Sequence, residues 1–197
     1  MQLSLDGMEP AAVPPQPKKH RLLFAILPDE HAQERTLEAA HGLREQCGLR
    51  GRVFQRNRLH VTLHTFYEGK RVPPAVVELA SRAGRSVTAS SFVVSLDTAF
   101  SFDNKPSNQP LVISGQRGTA ELTHFQRFVL AGAMRRHSLG TVVQQHFVPH
   151  ATVLYDDQVV PPTAVEPISW IVRDFVLIHS HVGLSKYDIL GRWRLGN

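Results

Sequence analysis

The sequence predicts an α+β fold of two pseudo-symmetric lobes, with antiparallel-rich sheets flanking a central groove and helices on the outside. Two observations lead there. A strand–helix–strand pattern recurs in both halves, and in each half the closing strand carries a histidine, one residue, a threonine and an aliphatic residue. These runs are His60-Val61-Thr62-Leu63 and His150-Ala151-Thr152-Val153. A duplicated unit explains the recurrence better than chance does. Size agrees: 197 residues with 42% hydrophobic content suffice for one domain or two intimately packed lobes.

The elements follow from the pattern. Residues 1–19 read as a disordered tail, broken by Pro10, Pro14, Pro15 and Pro17, and residues 20–197 as a single bilobal domain. An apolar strand is expected at 21–28. Pro28 and Asp29 turn the chain into a helix over 30–46, released by Gly48 and Gly51. The segment 59–67 alternates, which puts His60, Thr62, His64 and Phe66 on one face. Pro73 and Pro74 open a helix to about residue 85. A strand over 92–102, a polar loop and a strand over 111–114 come next. Leu122, Phe125, Val129, Ala133 and Met134 form a helical stripe ended by Gly140. The strand at 147–155 precedes a connection containing Pro161, Pro162 and Pro167. Two strands, 170–181 and 187–195, complete the chain, with Gly183 between them.

Composition narrows the function. Lys and Arg number 22 against 17 Asp and Glu, a net +5 that favours anionic partners but is too small and dispersed to define a nucleic-acid surface. Cys47 is the only cysteine, so no internal disulfide and no four-thiolate zinc site can form within one chain. No apolar run is long enough to cross a bilayer, and the first twenty residues lack the apolar centre of a secretory signal. The expectation is a soluble, cytoplasmic protein with no membrane partner and no obligate protein partner.

On a strand, residues two apart share a face, so each His-x-Thr run projects an imidazole beside a hydroxyl. Two such pairs across a cleft suit a phosphodiester. One histidine takes a proton from the attacking water and the other gives one to the leaving alkoxide. Thr62 and Thr152 can donate hydrogen bonds to the non-bridging oxygens. This chemistry calls for no cofactor and no metal. A metal site from His60, His64, His146, His150, Asp156 and Asp157 is the competing reading. It is disfavoured because residues four apart on a straight strand lie roughly 13 Å apart, too far to share an ion.

With these motifs the chain resembles the 2H phosphoesterases, specifically the bacterial RNA 2',3'-cyclic phosphodiesterases, the LigT-like or 2'-5' RNA ligase family. The resemblance rests on the opening strand at 21–28, Leu59-His60-Val61-Thr62-Leu63 and Val148-Pro149-His150-Ala151-Thr152-Val153. A C-terminal pattern also matches: Phe175-x-Leu177-x-x-Ser180, then Tyr187-x-x-Leu190-x-x-Trp193-x-Leu195. It departs after the first signature, where His64-Thr65-Phe66-Tyr67-Glu68-Gly69 replaces the familiar Phe-Leu-Gly turn, and in the loop 100–110. The resemblance implies hydrolysis of an RNA-terminal 2',3'-cyclic phosphate to a 2'-phosphate, together with reversible 2'-5' RNA ligation. It makes His60 the proton donor, His150 the proton acceptor, and Thr62 and Thr152 the phosphate holders.

Around that quartet, Phe66 is expected to stack on a base and Arg127 to bind a flanking phosphate, with Arg173 a further candidate. Trp170 and Trp193 read as sheet-packing anchors. His179 and His181 share a strand face without an assigned role. The partners expected are RNA ends or small nucleotides bearing a cyclic phosphate. Two alternatives stay open: a phosphodiesterase for a small cyclic nucleotide or an ADP-ribose cyclic phosphate, and a non-catalytic nucleotide- or RNA-binding module.

Overall fold

The computed structural model describes residues 19–103, 107–115, 118–140 and 147–196. The predicted tail over 1–18 and His146 lie outside the described residues. Lys19, assigned to that tail from sequence, instead opens β1 (Lys19–Ile26). Helix α1 (Glu30–Gln46) starts where Asp29 caps it, accepting a 2.9 Å hydrogen bond from the Ala32 amide. It ends before Gly48, whose φ of +63° is the left-handed conformation that glycine adopts without penalty. A 3-10 turn (Arg56–Arg58) leads into β2 (Val61–Gly69), and α2 (Pro74–Arg85) has Pro74 in its first turn. Strands β3 (Phe92–Ser101) and β4 (Gln109–Ser114) follow.

The helical stripe of the second half is not uniformly α. Between α3 (Ala120–His124) and α4 (Ala131–Arg136) the residues Phe125–Leu130 are π-helical. Within this wider turn Gln126 is fully buried, and its side-chain amide donates to the Leu63 carbonyl at 3.2 Å.

Strand β5 (His150–Asp156) carries the second motif. The last third of the chain differs from expectation. The stretch 170–181 is not one strand, because β6 (Thr163–Val172) ends and β7 (Asp174–Val182) begins on either side of Arg173. Strand β6 pairs with β3 and β7 with β1, so the chain passes from one half of the molecule to the other at that residue. Pro167 hid β6 in the sequence. It is tolerated because β6 is an edge strand whose register slips between Leu96 and Thr98 of β3. Strand β8 (Lys186–Arg194) closes the fold.

All strands join one antiparallel sheet in the order β6-β3-β4-β5-β2-β1-β7-β8. Its halves, β6-β3-β4-β5 and β2-β1-β7-β8, meet through a single register pair, Val61 with Ala151. The two lobes expected from sequence are therefore present but share this seam. In each half the His-x-Thr strand is innermost and pairs with the strand preceding its helix. Helix α1 packs on β5 and β6, α2 on β7 and β8, and α3 on β3. The main core, including Phe24, Val61, Leu63, Phe125, Val153 and Phe175, fills one side of the sheet. Leu23, Ala25, Val176 and Ile178 form a small apolar cluster on the other. No helix among the described residues is long and apolar enough to span a membrane.

The likeness of the two halves extends to an irregularity. In β2, Ala25 pairs with Thr62 and Phe24 with His64, which leaves Leu63 as a bulge. In β5, Val112 pairs with Thr152 and Leu111 with Leu154, which leaves Val153 as a bulge. Each bulge falls on the residue after the motif threonine. The residues on both sides of the step, Leu63 and His64, Val153 and Leu154, are all buried. A bulge breaks the period-two alternation, so both strands turn into the core immediately past the motif.

Candidate active site

Val61 and Ala151 are buried in the core, so their neighbours His60, Thr62, His150 and Thr152 project to the opposite side. In antiparallel register, positions one step either side of a pair fall opposite each other. On that register His60 stands across the seam from Thr152 and Thr62 across it from His150. The seam places the four predicted residues on one face of the sheet, on either side of that pair.

The imidazoles are held alike. Nδ1 of His60 donates to the Arg58 carbonyl at 2.8 Å, and Nδ1 of His150 donates to the Val148 carbonyl at 2.7 Å. In both, the partner is two residues upstream. Donation from Nδ1 leaves Nε2 as the nitrogen for proton transfer. The Val148 segment is itself fixed, since Ser114 Oγ donates to the Pro149 carbonyl at 2.8 Å. Among the described residues the Thr62 and Thr152 hydroxyls have no hydrogen-bond partner, so both can donate to a bound group.

Both imidazoles titrate below the ordinary 6.5. Burial is the main cause at His60, outweighing the carbonyl of Arg58, with the Arg58 guanidinium and a charged His150 adding to the depression. Burial likewise dominates at His150, opposed by the Val148 carbonyl. His60 senses the charge of His150, so the two rings are electrostatically coupled across the seam.

An aromatic edge meets each ring. Tyr187 of β8 lies T-shaped to His60 with centroids 5.2 Å apart, and Phe102, just past β3, lies T-shaped to His150 at 4.9 Å. Sequence reasoning missed both, and Arg58 with them. Arg58 stacks 4.1 Å over the Phe54 ring and donates to Ser185 Oγ at 2.9 Å and to the Tyr187 hydroxyl at 3.2 Å. Phe54 in turn lies 5.7 Å from the Tyr155 ring. The position of Arg58 two residues before a motif histidine was the one available signal. The rest depends on long-range contacts. The loop bearing Phe54 is tied to β5: the Phe54 amide donates to the Val153 carbonyl at 2.8 Å, and the Arg50 and Gly51 amides donate to Asp156 Oδ2 at 2.6 Å each. A side chain at Gly51 would collide with the Tyr155 carbonyl. A cavity of about 220 Å³ opens alongside, lined by Arg52, Val53, Phe54, Gln55, Arg58 and Ser185.

Other predicted residues are elsewhere. Phe66 does not share the face of His60. The Leu63 bulge reverses the alternation, and Phe66 packs against the core with its ring 5.2 Å from Phe24. His64 follows it inward, donating Nε2–H to the Gln126 carbonyl at 3.0 Å, with burial lowering its pKa. Arg127 sits in the π-helical run on the core side of the sheet, so the structure does not bring it to the histidines. Arg173 is exposed at the corner between β6 and β7. Trp170 is buried, and Trp193 packs 5.3 Å from Phe175. The acids of the competing metal reading serve loops: Asp156 holds the amides of Arg50 and Gly51, and Asp157 accepts from the Asn108 amide at 2.7 Å.

Known proteins share the family and the fold. Residues 27–183 match the family model of the 2'-5' RNA ligase superfamily. A crystal structure described as a phosphoesterase superposes with a TM-score of 0.66 at 24% identity, covering 90% of this chain and 99% of that one. Escherichia coli LigT in apo form gives a TM-score of 0.62 at 25% identity, covering 91% and 99%. A Thermus thermophilus protein, TT0787, gives 0.64 at 21% identity, covering 90% and 99%. No curated protein matches the sequence.

Proposed function

The chain belongs to the 2'-5' RNA ligase superfamily, and from that premise we propose that it hydrolyses the 2',3'-cyclic phosphate at an RNA end to a 2'-phosphate. Membership supports phosphoester chemistry on RNA ends. The observation that carries the finer reading is the pair of carbonyl-anchored imidazoles, each opposite the other motif's threonine across one register pair.

The step balances with these four residues. Water oxygen attacks phosphorus and gives its proton to Nε2 of His150, while the P–O3' bond breaks and O3' takes a proton from Nε2 of His60. Thr62 and Thr152 donate to the non-bridging oxygens as negative charge builds on them. The pair ends with its protonation exchanged and resets through solvent. A 5'-hydroxyl in place of water gives a 2'-5' phosphodiester by the same bond changes, which is the ligation reading. Burial, with the Arg58 guanidinium adding to it, disfavours protonation of His60 in the empty groove. The negative charge of a bound phosphate reverses that penalty and fits His60 for the acid role. The rings of Phe54, Tyr155 and Tyr187 offer stacking surface for the base attached to that phosphate.

Product analysis with a defined RNA bearing a terminal 2',3'-cyclic phosphate tests this reading. The expected product is the 2'-phosphate, formed at the same rate after exhaustive chelation. A 3'-phosphate, no turnover, or turnover only of free cyclic nucleotides would reject it.

The pH profile is a second check. Activity needs one imidazole protonated and one neutral, a form most populated between the two apparent pKa values of the pair. Both are pushed below 6.5, so kcat/KM, which reports the free enzyme, is expected to peak below that pH and fall as pH rises. A kcat/KM still climbing toward pH 8 would contradict the pairing. The kcat profile should lie to the alkaline side, because bound phosphate favours the imidazolium.

A further inference from the structure

Three histidines outside the active site, His20, His179 and His181, form a cluster of their own. His20 pairs with His181 across β1 and β7, and Asp188 of β8 pairs with His179. Cross-strand partners share a face, so all four side chains stand on the face that carries Phe24. Ala25, which pairs with Thr62, is on the other face, so this cluster and the catalytic pair lie on opposite sides of the sheet.

We propose that His20, His179 and His181, with Asp188, bind a divalent transition metal of the zinc class. One nitrogen from each histidine lies within 4.8 Å of the others. A tetrahedral ion with bonds of about 2.0–2.1 Å needs its donors roughly 3.3 Å apart, so small ring rotations bring these nitrogens into place. Nδ1 of His20 is 2.7 Å from Nε2 of His179, and the His179 and His181 ring centroids are 4.2 Å apart with their planes tilted by 35°. Asp188 Oδ2 lies 2.6 Å from Nε2 of His181 and 4.0 Å from Nδ1 of His179. It serves as the carboxylate that orients a ligating imidazole. Three imidazoles with one carboxylate suit zinc, nickel or copper rather than magnesium or calcium. The His179 and His181 side chains are each 15% exposed, which gives an ion a path in. Bound there, it would staple the start of β1 to the end of β7 and the start of β8.

The test uses untagged full-length protein, stripped by chelation and titrated with Zn²⁺ by calorimetry and Co²⁺ by visible absorption. One equivalent should bind with micromolar or tighter affinity, raise Tm and give a Co²⁺ spectrum of low coordination number. His20→Gln and His179→Gln, checked for native circular dichroism, should weaken binding at least about tenfold, while His60→Ala should leave it unchanged. Absence of Zn²⁺ uptake, uptake unaffected by both Gln variants, or uptake lost with His60→Ala would each overturn the proposal. None of these readouts depends on catalysis, so the proposal and the phosphodiesterase reading stand or fall separately.

Discussion

Replacing either His60 or His150 with alanine is expected to lower kcat on a 2',3'-cyclic-phosphate RNA by roughly 10²–10⁴-fold, the range of a positioned proton transfer. KM should move little, because neither ring is the main source of ground-state binding. The double variant should be scarcely worse than the more damaged single one, since acid and base act within one bond exchange and half the pair is of little use alone. Folding is not at stake. Each ring is half-buried and hydrogen-bonded to a single carbonyl, that of Arg58 or Val148, and neither belongs to the hydrophobic core. Circular dichroism and Tm near those of the unmodified protein would confirm that the loss is chemical. Either variant retaining more than about a third of the activity would remove that residue from the acid–base pair.

The two histidines need not lose equally. His60 carries the added influence of Arg58, which touches both the ring of Phe54 and the hydroxyl of Tyr187. That network can keep a phosphate in place without the imidazole, whereas the ring contact of His150 among the described residues is the edge of Phe102. Comparing the residual rates of the two variants therefore reports how much of the groove's work is positioning and how much is proton transfer.

What the sequence revealed, and what it hid, divides along physical lines. The quartet was legible because a repeated tripeptide on alternating strands fixes which side chains share a face, whatever the topology. Helices α1 and α2 were legible through Asp29, Gly48 and Pro74, whose effects on the backbone are local. Phe66 and His64 were placed wrongly because the bulge at Leu63 leaves no mark in the hydrophobic pattern: an extra apolar residue looks the same paired or unpaired. Strand β6 was concealed by Pro167, which reads as a breaker unless the strand is known to lie at an edge. Tyr187 stood out only as part of the C-terminal pattern, and Phe102 and Phe54 gave no site signal, because the seam and the loop tied to β5 bring all three to the histidines from distant parts of the chain.

The two threonines provide the second large effect. Thr62→Val and Thr152→Val retain shape and remove one hydroxyl donor each, and each is expected to cost up to about 10²–10³ in kcat, the range for loss of one transition-state donor. The loss belongs in kcat because charge on the non-bridging oxygens is greatest at the pentacoordinate stage, so a donor aimed there acts more strongly on the transition state than on bound substrate. Thr62→Ser and Thr152→Ser keep the hydroxyl and should recover most of the rate, which separates hydrogen bonding from packing. The register adds a sharper expectation. Since Thr152 lies across from His60 and Thr62 across from His150, coupling in double-mutant cycles should be larger for these cross-strand pairs than for the pairs within one motif. Equal coupling in both arrangements, or a rise in KM with kcat unchanged, would mean that the hydroxyls hold the ground-state phosphate and take no part in stabilising the charge that develops on it.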